Sequence, residues 1–206
     1  MKRAIFAFVV LVCVPAAALA QTEGKISVGA SVSHMITTDE DLASVSGVCV
    51  LVRLNPKRGW GPAGAFNWFR ADIDDPTGGS GDFARIRIRP LMAGIAYTVG
   101  PDKVLTSFSI VAGPSFNSFD FRDDFLDRVR AAGLQEPSVD IETSFVVRPG
   151  VNVTWTVAPR VGIVGFGGYL FNRPGVVYRD PFGVEHRDEW KADAFVISVG
   201  AVYSLF

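Results

Sequence analysis

Long hydrophobic runs are missing from the body of this chain. The longest, such as Val48-Cys49-Val50-Leu51-Val52, stop after five or six residues, where a spanning helix needs about 20. That excludes an α-helical membrane protein, although the mean hydropathy is positive. Cysteine is scarce too, with only Cys13 and Cys49, and so is histidine, with only His34 and His186. Neither acid nor base is in large excess, the formal charge being −1. A nucleic-acid partner would need a basic patch, so none is expected.

The one apolar exception is at the start. Met1-Lys2-Arg3 is a basic head, Ala4 to Val14 an apolar stretch, Pro15 a helix break, and Ala18-Leu19-Ala20 a small-x-small cleavage site. This is the pattern of a cleavable secretory signal over residues 1–20, leaving Gln21 as the mature start. Val12 before Cys13 is too large for a lipidation signal. Removing the signal takes away Lys2, Arg3 and Cys13, leaving 18 basic residues against 21 acidic and a formal charge of −3. One remaining thiol, Cys49, rules out an internal disulfide. Flanked by Val48 and Val50, it reads as a buried, inert cysteine.

Catalytic and cofactor chemistry find little to use. Hydrolysis needs a base beside a nucleophile, yet His34 is followed by Met35-Ile36 and His186 by Arg187-Asp188. No spacing suits a metal. Gly78-Gly79-Ser80-Gly81 has no helix after it and so does not form a phosphate cradle. No catalytic, cofactor or metal residues are expected.

What the chain does have is alternation. Short connections fall at 55–59, 100–103 and 158–160, and long polar ones at 37–44, 72–82, 121–138 and 173–188. Long and short alternate, which gives eight strands. Short turns on one side and long loops on the other characterise membrane β-barrels. In the sixth strand Phe145, Val147, Pro149, Val151, Val153, Trp155 and Val157 point one way. Ser144, Arg148, Gly150, Asn152, Thr154 and Thr156 point the other, with Val146 the exception. Aromatics group at two levels: Trp60, Tyr97, Trp155 and Tyr203 close to short turns or the terminus, and Trp68, Phe116, Tyr169 and Phe171 eight to twelve residues farther on. A strand rising ~3.3 Å per residue with ~45° tilt crosses a ~25 Å apolar band in about 10–11 residues. The two levels therefore read as interfacial girdles, which a soluble barrel has no reason to build.

The chain ends on Ser198-Val-Gly200-Ala-Val-Tyr203-Ser-Leu205-Phe206, an alternating strand with an aromatic terminus. Here the chain resembles the small eight-stranded bacterial outer-membrane barrels, being similar over residues 21–206 to the transmembrane domain of outer-membrane protein A. In that family the assembly machinery reads a polar residue, a glycine and two spaced hydrophobic positions. Ser198, Gly200, Tyr203 and Leu205 match, and Phe206 is one aromatic beyond. No peptidoglycan-binding domain follows, so a stand-alone barrel is expected. The resemblance implies outer-membrane location, periplasmic termini, and outer-membrane lipid, lipopolysaccharide and the barrel-assembly machinery as partners. Lipid A deacylases of this group carry a His-x-Ser pairing, absent here.

Two segments add detail. Asp123 to Gly133 reads as one short helix in the third long loop, capped by Asp123 or Asp124, ended by Gly133, its stripe of Phe125, Leu126, Val129 and Ala132 packing on the barrel rim. The charges Arg85, Arg87, Arg89, Asp140, Glu142 and Arg148 are the candidate functional set. Apolar parity in the fourth strand is even at Ile86 and Ile88 and odd from Leu91 to Val99. A bulge at Arg89-Pro90 would turn the arginines into the lumen, toward acids such as Glu142. Without one they face lipopolysaccharide phosphates. The lumenal network is the expected arrangement. The expected whole is an all-β, closed up-and-down barrel with a filled lumen and a non-enzymatic structural or surface-interaction role. A narrow conduit or binding site for small or apolar molecules is the alternative, and a lipid-modifying hydrolase a disfavoured third.

Overall fold

The computed structural model describes residues 25–38, 44–55, 58–74, 82–179 and 184–205; the expected signal peptide and Phe206 lie outside them. Eight antiparallel strands close a barrel: β1 (Lys25–Thr37), β2 (Val45–Asn55), β3 (Gly59–Asp74), β4 (Asp82–Val99), β5 (Val104–Phe121), β7 (Ser144–Ala158), β8 (Val161–Leu170) and β11 (Ala194–Ser204). Each pairs with its neighbour in sequence around the wall, and β11 closes on β1. Strands this long, with period-two side chains, form a wall with two distinct faces.

The two faces hold opposite chemistry. On β7, Phe145 is 70% exposed, Val153 45% and Trp155 56%, whereas Val146 is fully buried and Arg148 6% exposed. The outward and inward sets are those read from the sequence. An apolar exterior leaves the hydrophobic side chains uncovered unless lipid surrounds them. Inside, Met35, Phe69, Ile88, Met92, Val146 and Val196 belong to a buried apolar cluster toward the long-loop end. Leu51, Val164 and Val202 form a smaller one toward the short-turn end. Eight strands leave room for little more than side chains, and these fill most of it.

The fourth strand departs from expectation. Ala84, Ile86, Ile88, Met92, Ala96 and Thr98 are all buried, so one parity faces inward along the whole strand. The ladder to β3 skips two residues at Arg89-Pro90 and resumes in the same register, Phe69 opposite Ile88 and Phe66 opposite Leu91. Proline removes a ladder hydrogen bond but inserts no extra residue, so there is no bulge to flip the faces.

Three short strands were not anticipated. β6 (Ser138–Ile141), β9 (Gly175–Arg179) and β10 (Glu185–Glu189) form a separate sheet in order β10-β9-β6 beyond the long-loop end. Helix α1 (Asp123–Ala131) lies where expected, but its cap differs. Arg122 occupies the N-cap without a side-chain bond, and Asp123 and Asp124 sit in the first turn, where they complement the helix dipole. Gly133 at φ +69° ends it, with Gly133 N–H donating to Arg130 O and Leu134 N–H to Val129 O. That is a Schellman closure. Of the stripe, Val129 is buried, Phe125 and Leu126 half-buried, and Ala132 exposed. Phe125 stacks on Phe121 at 5.4 Å, which ties the helix to the end of β5.

Candidate functional site

The outer face carries the first group of candidates. Arg85, Arg87 and Arg89 share the outward parity of β4 with the exposed Leu91, Ile95 and Tyr97. They do not enter the lumen, because Ile86 and Ile88 take the inward positions between them. Arg87 pairs with Asp120 of β5 at 3.1 Å. Glu142 lies exposed at the rim, its N–H bonded to Gly175 O, and Asp140 is exposed in β6. The expected lumenal pairing of Arg87 with Glu142 is therefore absent. Only Arg148 of the proposed network points inward. Arg70 of β3 stands opposite Arg87 in the ladder and is exposed, so β3 and β4 together present four arginines at this level.

The aromatic residues lie on the same outer face. Trp60, Tyr97, Trp155 and Tyr203 are exposed near the short-turn end, with the Trp60 and Tyr97 rings 5.1 Å apart. Trp68, Phe116 and Phe171 are exposed nearer the loops. Tyr169 is half-buried between Phe171 and Phe195, at 4.7 and 4.8 Å. Phe145, read as outward-facing, and Phe195 join this level, though neither was counted among the girdle aromatics.

One outer-face pair was invisible to spacing. His34 of β1 and Ser46 of β2 are register partners, with Nδ1 and Oγ 3.1 Å apart. A nucleophile–base pair also needs a third group that orients the base. Among the described residues no carboxylate bonds to His34.

The closing strand places its expected signal residues on both faces. Ser198 is buried and accepts a hydrogen bond from Ser33 Oγ at 3.0 Å. At Gly200 a Cβ would run into the carbonyl oxygen of Ala30, so only glycine lets β1 approach this closely. Tyr203 and Leu205 are exposed outward, and Leu205 N–H bonds to Ile26 O at 2.8 Å.

Inside, two guanidinium groups dominate. Arg148 donates through Nη1 to Asn67 Oδ1 at 2.8 Å and lies 4.5 Å from the centre of the Phe166 ring, a cation–π contact. Arg53 of β2 is equally buried. Both line a central cavity of about 30 Å³ with Ser31, Cys49, Ser109 and Asn152. Arg53 also borders a larger vestibule of about 220 Å³ at the short-turn end, with Asp102, Thr154 and Arg160. At the other end described loop residues pack on the barrel. Trp190 packs on the apolar cluster. Buried Asp193 accepts from Asn172 N–H at 2.8 Å through Oδ1, and its carbonyl accepts from both the N–H and the hydroxyl of Thr38 at 3.0 Å. Nothing in residue spacing separates Asp193 from other loop acids, so the sequence did not point to it. Farther out, hydrogen bonds from Arg187 and then Arg179 hold the exposed Glu185 carboxyl below its ordinary pKa.

A closed eight-stranded barrel with an apolar outside and a largely filled inside is the fold of the small outer-membrane β-barrel proteins. The solved structures it resembles include OprG from Pseudomonas aeruginosa, at TM-score 0.67 and 13% identity over 88% of this chain and 96% of that one. Escherichia coli outer membrane protein W matches at TM-score 0.51 and 16% identity, over 88% and 98%. Outer membrane protein AlkL, solved in lipid bilayers, matches at 0.54 and 12%, over 88% and 90%. No protein-family model and no curated protein matches the sequence.

Proposed function

We propose that this chain is an integral outer-membrane protein with a structural and surface-interaction role, which holds lipopolysaccharide phosphates on the outer face of β3 and β4. The signal-like residues 1–20 would deliver it, the termini and short turns would face the periplasm, and the aromatic levels would act as interfacial girdles. The observation that carries this reading is the outward row Arg85, Arg87 and Arg89 above an uninterrupted apolar face. From Val99 to Arg89 is ten residues, about 33 Å of strand, or about 23 Å along the normal at 45° tilt. That height is the edge of a ~25 Å apolar band, where phosphates and bidentate guanidinium groups meet.

The test is association of the folded barrel with lipopolysaccharide in micelles or vesicles. Wild type should bind in a salt-sensitive way, and the triple variant Arg85→Gln, Arg87→Gln, Arg89→Gln should lose most of that association. Equal binding by both would overturn the assignment.

A non-enzymatic role is part of this reading, supported by the lack, among the described residues, of a group that orients His34. Ser46→Ala should leave the lipid A mass pattern of expressing cells unchanged; a Ser46-dependent loss of an acyl chain would contradict it. A small-molecule binding role is the second reading, favoured by the open vestibule beside Arg53.

A further inference from the structure

We propose that the lumen is an anion site, in which a small inorganic anion of chloride's size sits against Arg148 and Arg53. The two arginines are each 6% exposed, and both line the same cavity of about 30 Å³. Among the described residues neither has a carboxylate within ion-pair distance. Arg148 is met by an amide oxygen, an aromatic face and the Cys49 sulfur. Of the cavity-lining side chains, Nε of Arg148, Nη2 of Arg53 and the hydroxyl of Ser31 find no hydrogen-bond partner, and on the vestibule the hydroxyl of Thr154 has none either. Every one of these orphan atoms can donate.

A buried charge without a counter-charge is strongly unfavourable, and buried donors left unmade add to the cost. Among the described residues the central cavity is lined by positive charge and donors and by no acid. An anion supplies what is missing: one negative charge and several acceptor directions at once. The volume agrees, since a site of 10–15 Å³ holds one water and this one has room for about two waters or one halide. Entry is from the short-turn end. Arg53 borders both the cavity and the vestibule of about 220 Å³, so an anion drawn into the vestibule meets Arg53 first and Arg148 behind it. Asp102 also lines that vestibule but makes no ion pair with Arg53. Toward the long loops, Phe69, Ile88, Met92 and Val146 close the path.

The experiment uses the whole barrel folded in uncharged detergent, unfolded with urea at fixed ionic strength in sodium chloride, sodium bromide or sodium gluconate. Chloride and bromide should raise the midpoint in a saturable way relative to gluconate. The folding constant should rise about tenfold when the halide stands at ten times its Kd. Arg148→Gln should abolish the halide dependence and Arg53→Gln weaken it, while the outer-face triple variant keeps it, which separates this site from the lipopolysaccharide surface. Should the lumenal variants fail to fold, chloride NMR line broadening by wild type, displaced by bromide, and bromide anomalous density beside Arg148 decide the matter. Equal midpoints in chloride and gluconate, or a cavity holding only water after a bromide soak, would overturn the proposal. So would a halide effect that survives Arg148→Gln.

Discussion

Val151 and Thr156 lie five residues apart on one strand and face different surroundings. Val151 is outward and exposed; Thr156 is inward and half-buried beside the vestibule. Val151→Arg should therefore lower stability by about 2–4 kcal/mol, the cost of a guanidinium at mid-bilayer, whereas Thr156→Arg should cost much less because water reaches the vestibule. Urea titration of the barrel in lipid vesicles measures both. Asn152 would be a poor control, since an arginine there would add a third cation to the cavity lined by Arg53 and Arg148. The same scale settles the arginines of β4. Arg87 and Asp120 are 35% and 51% exposed, so their pairing contributes under about 1 kcal/mol. Double-mutant cycles should give a small coupling for Arg87→Ala with Asp120→Ala and none for Arg87→Ala with Glu142→Ala. A coupling of several kcal/mol to Glu142 would restore the lumenal arrangement. The sequence misled here for a definable reason. Above the apolar band a barrel strand has water outside and apolar packing inside, so alternation reverses without any change of register, and Ile86 and Ile88 looked like lipid-facing residues.

At the scale of elements, strands that cross the band were legible and those beyond it were not. β7 shows why: seven alternations in fifteen residues admit one register, since a slip of one residue would turn Trp155 and Val153 inward. β6, β9 and β10 are four or five residues each, and their pairing depends on loops meeting in space, which local pattern does not encode. Helix α1 is intermediate; its end was readable because glycine marks a left-handed residue, and its cap was not. Gly133→Ala forces a Cβ into φ +69° and should fray the last turn, at about 1 kcal/mol, without loosening the barrel. Hydrogen exchange should show faster exchange at Gly133 and Leu134 and unchanged protection in β5; faster exchange in β5 would show that the helix supports the wall. The closing strand is another matter. Tyr203 lies opposite Val28 and Val161, so Tyr203→Asp places a carboxylate on the outer face of the seam. Heat-modifiable gel migration should report loss of folded barrel; unchanged migration would show that the seam tolerates a charge.

For the molecule as a whole, the decisive relation is between two surfaces. The outside is apolar with aromatics at two levels, and the inside is filled from Leu51 and Val202 at one end to Trp190 at the other. A wall with these two faces folds where lipid or detergent replaces water on the outside. The candidate sites divided the same way: alternation gave Arg148 its inward position, but the meeting of Arg53, Arg148 and one cavity depends on barrel curvature. In planar bilayers the filled lumen should give no steady conductance. The measurement that bears most directly on this architecture is a scan of single cysteines along β7, from Phe145 to Val157 on a Cys49→Ser background. Each cysteine would be labelled and exposed in vesicles to a lipid-dissolved and a water-dissolved quencher. The lipid quencher should reach 145, 147, 149, 151, 153, 155 and 157 and spare the residues between them. Uniform access along the strand, or water-quencher access at Val151 and Val153, would contradict a lipid-facing barrel wall.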